Sequence, residues 1–364
     1  QAGRLVPPDR LNRNAAPADK FYTSGRAQMV RRRRTNAVNR RDFLKHVAAA
    51  AAFAAANPWR SLLAQTASAP SSLPATMTAR KSPVHIIRYR KSQQLIKGHG
   101  ISRWRLREAL IAGFCELAQC PVLPKALQAF FQPNDVIGFK FDNTLEYLLA
   151  TNRVFSEEIF RIFLQNGFQP HQLLFLGATP ADPLLPKPRK PNFGWTDQID
   201  FGSGKDQFTA ALDDVTALVN VPLLRADAIS GISVCLRNAT YGFLRHPARF
   251  YRNACSPYIV DIYRLPIIRD KIRLHLVNAV KVPIRTDVLE HDDAVSPQEA
   301  LLFSRDAVAT DAVAFEIIER LRANAGLQPL LESDDFLPLL VEAARAGLGK
   351  YHPDQIDLKP LWLE

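Results

Sequence analysis

The chain has 364 residues but only four cysteines, Cys115, Cys120, Cys235 and Cys255. None belongs to a C-x-x-C pair or to a run of the kind that ligates an iron–sulfur cluster, which argues against direct electron transfer and leaves the cofactor, if any, unspecified. Singly, such residues read as small apolar side chains. Cys115 and Cys120 fall on one predicted helix and point about 140° apart at ~3.6 residues per turn, so a disulfide between them requires a break in that helix. No apolar run reaches the ~20 residues of a membrane-spanning helix. Gly202-Ser203-Gly204-Lys205 resembles a phosphate loop only superficially, because Asp206 stands where Ser or Thr is needed and the preceding glycine is missing. His291, in the acidic loop 287–293, lacks the further ligands of a metal site, so no metal site is predicted. Repeats and low complexity are absent outside the leader, which removes support for a scaffold.

A net charge of +12 invites a nucleic-acid partner. Its distribution excludes one. Of 47 basic and 35 acidic residues, thirteen and three lie in residues 1–69, leaving 34 against 32 in the remainder. The body is nearly neutral and long enough for a sizeable core.

Residues 1–28 are polar, Arg-rich and without Met, and are expected to be a non-native or disordered extension. From Met29 the order is a basic region, Arg31 to Arg34, then Asn39-Arg40-Arg41-Asp42-Phe43-Leu44-Lys45, then an Ala-rich run, His46 to Ala56. This arrangement closely resembles a twin-arginine export signal, assigned here to 29–69, with small-residue cleavage sites at Ala56 or Ala69. The resemblance implies the twin-arginine (Tat) translocase as a partner and a periplasmic or exported location, with membrane association if the signal stays uncleaved. A basic amphipathic helix on a membrane is the plainer alternative. Residues 70–82 form a Ser, Pro and Thr linker.

Residues 83–364 are predicted to be one α/β domain: a mixed, largely parallel β-sheet flanked by helices, behind a disordered or helical leader. Val84 to Tyr89 is a strand and Ser102 to Leu117 an amphipathic helix. Strand Val136 to Phe141, helix Val154 to Asn166 and strand Gln172 to Leu176 make a βαβ unit with parallel strands. Pro180 to Asp206 is a long loop of the kind that often binds ligands. Val215 to Val221, stopped by Pro222, is a buried strand. Ile229, Ile232, Leu236, Ala239 and Phe243 then follow the spacing of a helix face. A second strand ends near Lys281, Leu301 to Phe303 is a short strand, and helices run from Ser304 to about Ala323 and from Phe336 to Ala346. Ser304 or Asp306 reads as a cap of the first of these. Asp311 lies on its apolar stripe, so its carboxylate must find a partner or shift its pKa upward.

The segment order resembles the family known as domain of unknown function 362, over about residues 127–358. The resemblance is carried by 131–140 (FQPNDVIGFK), 220–225 (NVPLLR), 236–242 (LRNATYG), 268–274 (IRDKIRL), 306–311 (DAVATD) and 347–349 (GLG). Against the pattern that the resemblance implies, this chain carries Arg225 and Asp227 in place of Lys and His, Arg237 in place of Lys, Asp142 in place of Asn, and Ala307 in place of Pro. Arg does not act as a base at neutral pH, whereas Lys and His do.

Ligands of open α/β sheets bind beyond the carboxyl ends of the strands. The sequence therefore predicts an exported enzyme acting on an anionic small molecule there. Lys140, Asn143, Arg225, Arg237 and Asn238 would bind it, and Asp227, Asp306 or Asp311 would handle protons, with Asn143 and Asn238 orienting the ligand. The alternative is a non-catalytic periplasmic binding or accessory protein for redox or cofactor maturation. An enzyme should gather Arg225, Arg237, Asn238 and Asp306 on one enclosed pocket. Replacing both arginines by Ala is expected to leave thermal stability nearly intact while abolishing ligand capture.

Overall fold

The computed structural model describes residues 81–90, 94–98, 100–291, 293–331 and 337–364, all within the compact unit Ala50–Glu364. The extension, the export signal and all but the end of the linker lie outside the described residues.

Seven strands build the main sheet: β1 (Ser82–Tyr89), β2 (Ile137–Phe141), β3 (Leu173–Leu176), β4 (Ala217–Val221), β5 (Ile272–Pro283), β6 (Val295–Ser304) and β7 (Ile356–Leu363). Their spatial order is β7-β1-β6-β5-β4-β2-β3. Four pairings are parallel (β7 with β1, β5 with β4, β4 with β2, β2 with β3), and β6 alone runs opposite to its neighbours β1 and β5. The mixed, largely parallel α/β architecture is therefore the one expected. The antiparallel run of β6 is what the local pattern does not contain.

Period-two alternation along each strand sends neighbouring side chains to opposite faces. On one face, Phe139 and Phe141 of β2 join Phe175 of β3 and Phe303 of β6 beneath α1 (Arg103–Ala118) and α2 (Asn152–Gln165). Phe139 stacks on Phe175 at 4.9 Å and meets Phe163 of α2 edge-on at 5.0 Å. Such pairs add about 0.5–1.5 kcal/mol beyond their area burial. On the other face lie α3 (Cys235–Asn238), α4 (Tyr258–Tyr263), α5 (Ala307–Asn324) and α6 (Pro338–Arg345), packed through Ile259, Ile262, Val313, Ile317 and Leu340.

Three local expectations change. Residues 229–243 do not form one helix. Arg225–Asp227 pairs antiparallel with Gly231–Ser233, and only then does α3 begin. The Asp227 carboxylate accepts the N–H groups of Ile229 and Ser230 at 3.0 Å each, and Gly231 sits at φ +78°. An Asx turn followed by a left-handed glycine outcompetes the helical spacing. Within the long loop, Trp195–Asp200 and Lys205–Thr209 form a hairpin. The tail beyond Pro353 supplies β7, an edge strand whose Pro360 cannot donate to a further neighbour.

β2 connects to β3 through α2 on the aromatic face, whereas β4 connects to β5 through α3 and α4 on the other. Connections leaving neighbouring strands for opposite faces define a topological switch point, and β2 and β4 flank it.

Candidate functional site

Two layers of polar groups occupy the switch point. The inner layer is a buried row built by strand register. Lys140 of β2 pairs with Asn220 of β4, and Asn220 with His275 of β5, so all three side chains emerge on one face. The Lys140 ammonium donates to Asn238 Oδ1 at 3.0 Å and to the Phe141 carbonyl at 2.7 Å, under the Phe243 ring. The Asn238 amide donates to Asn220 Oδ1 at 2.7 Å and to the Lys140 carbonyl at 3.0 Å. Asn220 in turn meets His275 Nδ1 at 3.0 Å, and the Tyr263 hydroxyl lies 3.3 Å from His275 Nε2. Every polar atom of such a row must find a partner, because an unsatisfied buried group costs about 1–3 kcal/mol.

Burial sets the protonation of this layer. It lowers the Lys140 pKa to about 8, against the opposing pull of Asp142, and lowers that of His275 to about 3, so His275 is neutral. Gly242 covers Lys140 so closely that an added Cβ would stand 2.5 Å from the amine.

The outer layer is an ion-paired cluster. Arg225 follows β4 and donates from Nε to Asp142 at 3.1 Å and from Nη1 to Asp227 at 3.3 Å. Arg237 of α3 pairs with the other oxygen of Asp227 and donates to Ser230 Oγ at 3.1 Å. Its guanidinium lies over the Tyr251 ring, 4.9 Å from the centroid. The side chains of Arg225, Arg237, Asp142 and Asp227 are 13, 9, 8 and 10 % exposed. Burial works to raise the Asp142 pKa, but Arg225, the Thr144 hydrogen bonds and Lys140 outweigh it and hold the carboxyl below its ordinary range. Asp227 follows the same balance, with Arg237, the Ser230 N–H and Arg225 opposing burial. Both are carboxylates at neutral pH.

Lys140, Arg225, Asp227, Arg237 and Asn238 of the predicted set are thus brought together. Asn143 sits beside Asp142 at the end of β2, exposed to solvent. Asp311 and Asp306 stand apart from the cluster. Asp311 accepts the Cys235 and Leu236 N–H groups at 2.7 and 3.0 Å, anchoring α3 to α5. Burial pushes its pKa up to about 7, although those two bonds resist the rise. Asp306 caps α5 by accepting the Ala309 N–H at 2.9 Å and takes bonds from Ser82 Oγ and the Lys350 N–H. Because β6 is antiparallel, its carboxyl end points away from those of β2 and β4, which separates Asp306 from Arg225. The expected single pocket lined by Arg225, Arg237, Asn238 and Asp306 is therefore not assembled.

Two cavities open elsewhere. One lies between α4 and α6, lined by Asp261, Arg264, Glu342, Arg345 and Tyr351 among others, and the second by Lys81, Ser82, His85, Arg305 and Asp306 among others. Among the described residues no group of three or more His, Cys, Asp or Glu converges as a metal centre, and no helix is long and apolar enough to cross a membrane.

Sequence reading passed over Asp142, Asn220 and His275 as members of the site. The available signal was a polar residue in the middle of an apolar strand: Asn220 in ALVNV and His275 in RLHLV.

Asp142, Arg225, Asp227 and Arg237 form one connected ion-paired cluster. No curated protein and no solved structure matches the chain. Residues 192–316, which hold both arginines, Asp227, Asn238 and the central strands β4 and β5, match the model of the family described as domain of unknown function 362.

Proposed function

We propose that this is an exported α/β enzyme that acts on an anionic small molecule, a carboxylate or phosphate ester, beyond the ends of β2 and β4, at a more open site than the enclosed pocket expected and one in which Asp306 takes no part. The single observation that carries the reading is the gathering of Arg225, Arg237 and the buried Lys140 at the switch point of the sheet. Guanidinium forks suit carboxylate and phosphate geometry, Asn143 and Asn238 orient the ligand, and an amine with its pKa lowered to about 8 exchanges a proton near neutral pH. Asp227 holds both guanidinium groups in place. Export rests on the Asn39-to-Lys45 motif. Replacing Arg40 and Arg41 by Lys is expected to retain the protein in the cytoplasm, as cell fractionation would show.

One observation favours a second reading, a non-catalytic binding or accessory protein serving redox or cofactor maturation. Asp142 and Asp227 already neutralise both arginines, so an incoming anion competes with two resident carboxylates.

Calorimetric titration with a panel of dicarboxylates and phosphate esters tests the site. Substituting Arg225→Lys together with Arg237→Lys keeps the charges but removes the forks, and is expected to weaken binding at least about tenfold. Unchanged affinity in that variant, or no saturable binding by the unaltered protein, would remove the proposal. Mass spectrometry of the recovered ligand separates the readings, since an enzyme returns an altered molecule and a binding protein the same one.

A further inference from the structure

The end of α1 brings two cysteine residues near each other. The helix stops at Ala118, Gln119 takes the left-handed conformation at φ 53° and ψ 39°, and the Cys120 N–H turns back to donate to the Cys115 carbonyl at 3.0 Å. This is the six-to-one bond of a Schellman closure, which sets the two residues so joined on the same side of the helix end. A continuous helix would set the two thiols about 140° apart. The left-handed residue is the break that the spacing alone did not contain.

Reach follows from the same bond. A backbone hydrogen bond of that length keeps the two Cα atoms within about 7 Å of each other, close to the span of a disulfide. Neither thiol is sealed in the core, whereas Cys235 and Cys255 are buried. Burial raises the Cys115 pKa and the neighbouring Cys120 thiol raises it further, an influence that only nearby groups exert. Cys120 Sγ also lies 3.6 Å from the Val122 carbonyl, in the turn that leads into helix Leu123–Gln128.

We propose that Cys115 and Cys120 are a redox-active dithiol, oxidised to an intrachain disulfide by thiol–disulfide exchange with a small-molecule or protein disulfide. One thiolate attacks the oxidant, breaking its S–S bond, forming a mixed disulfide and releasing one thiol. The second thiolate of the pair then attacks the mixed disulfide, forming the Cys115–Cys120 bond and releasing the second thiol. The protein gives up two electrons and two protons, which the oxidant carries away as two S–H groups. The product is a covalent clasp on the end of α1. It does not depend on the crevice or on what binds there.

The test uses the folded full-length protein treated with oxidised glutathione, quenched in acid, alkylated and weighed intact, then mapped by peptide. The expected result is a loss of two hydrogen masses, a cross-linked peptide joining Cys115 and Cys120, continued burial of Cys235 and Cys255 from the alkylating agent, and reversal by dithiothreitol. Cys120→Ser is expected to stop at a glutathione adduct on Cys115, since the thiol that resolves it is gone. The proposal is overturned if the unaltered protein stops at glutathione adducts or stays reduced, or if Cys120→Ser still loses two hydrogen masses.

Discussion

The two faces of β2 differ in what holds them. Phe139 and Phe141 point into an aromatic layer closed by α1 and α2, whereas Lys140 between them points into the polar row that ends at Tyr263. One five-residue strand thus carries both a hydrocarbon core and one end of a buried polar row. What differs is the currency of stability. The aromatic face is held by area removed from water and by ring packing, which is non-directional and tolerant of small changes. The polar face is held by partners that must all be present, and its members gain little from burial itself.

The comparison can be broken from either side. The largest effect is expected at Phe139→Ala, which removes a fully buried ring and should destabilise by about 3–5 kcal/mol in urea unfolding. Replacing Arg225 and Arg237 together by Ala comes next, at about 3 kcal/mol or more, because Asp142 and Asp227 would be left buried without the guanidinium groups that pair with them. This replaces the sequence-based expectation of an intact fold, and it is why Lys rather than Ala is the informative substitution for binding.

A third test uses pH. Asp311 has a folded pKa raised to about 7, so its contribution is complete below the unfolded value of ~3.9 and is lost as pH rises through 7. His275 has a folded pKa lowered to about 3, so its contribution is present above ~6.5 and is lost as pH falls toward 3. The two slopes oppose each other between about pH 4 and 6.5. Asp311→Asn removes one of them, and stability in that variant is expected to fall more steeply on acidification than in the unaltered protein, as denaturant midpoints at several pH values would show. A parallel slope would contradict the assignment. Asp142 and Asp227, with pKa values held down, begin to add their own loss as pH falls through the ordinary carboxylate range and continue to do so below it.

A smaller effect on stability separates folding from function. Lys140→Met exchanges a buried ammonium for hydrocarbon, a change offset by the orphaned Asn238 oxygen, and should alter unfolding by no more than about 1 kcal/mol. Anion binding should nevertheless be lost. The smallest effect is expected at the exposed Arg269–Asp270 pair, where Arg269→Ala should stay within about 0.5 kcal/mol.

Strands β2 and β4 were legible because each is a short apolar run closed by a punctuating residue, Pro222 in the case of β4. The unit formed by β2, α2 and β3 was legible from spacing alone, and so was the capping role of Asp306. The direction of β6 was not, since whether a strand runs up or down depends on partners far away in sequence, here β1 and β5. That single reversal moved Asp306 out of the site. Asn220 and His275 were hidden for a related reason: each looks like an isolated polar residue until register sets it beside Lys140 or its neighbour. The stretch from Ile229 to Phe243 misled through its apolar spacing, which is matched by a hairpin and a short helix once Asp227 and Gly231 set the turn.

The most direct test of the crevice is an NMR titration that follows the arginine Nε–H and lysine ammonium signals as inorganic phosphate or succinate is added. The account predicts saturable shifts at Arg225, Arg237 and Lys140 with one common affinity. Shifts confined to exposed arginines, or to Arg264 and Arg345 in the cavity between α4 and α6, would contradict it.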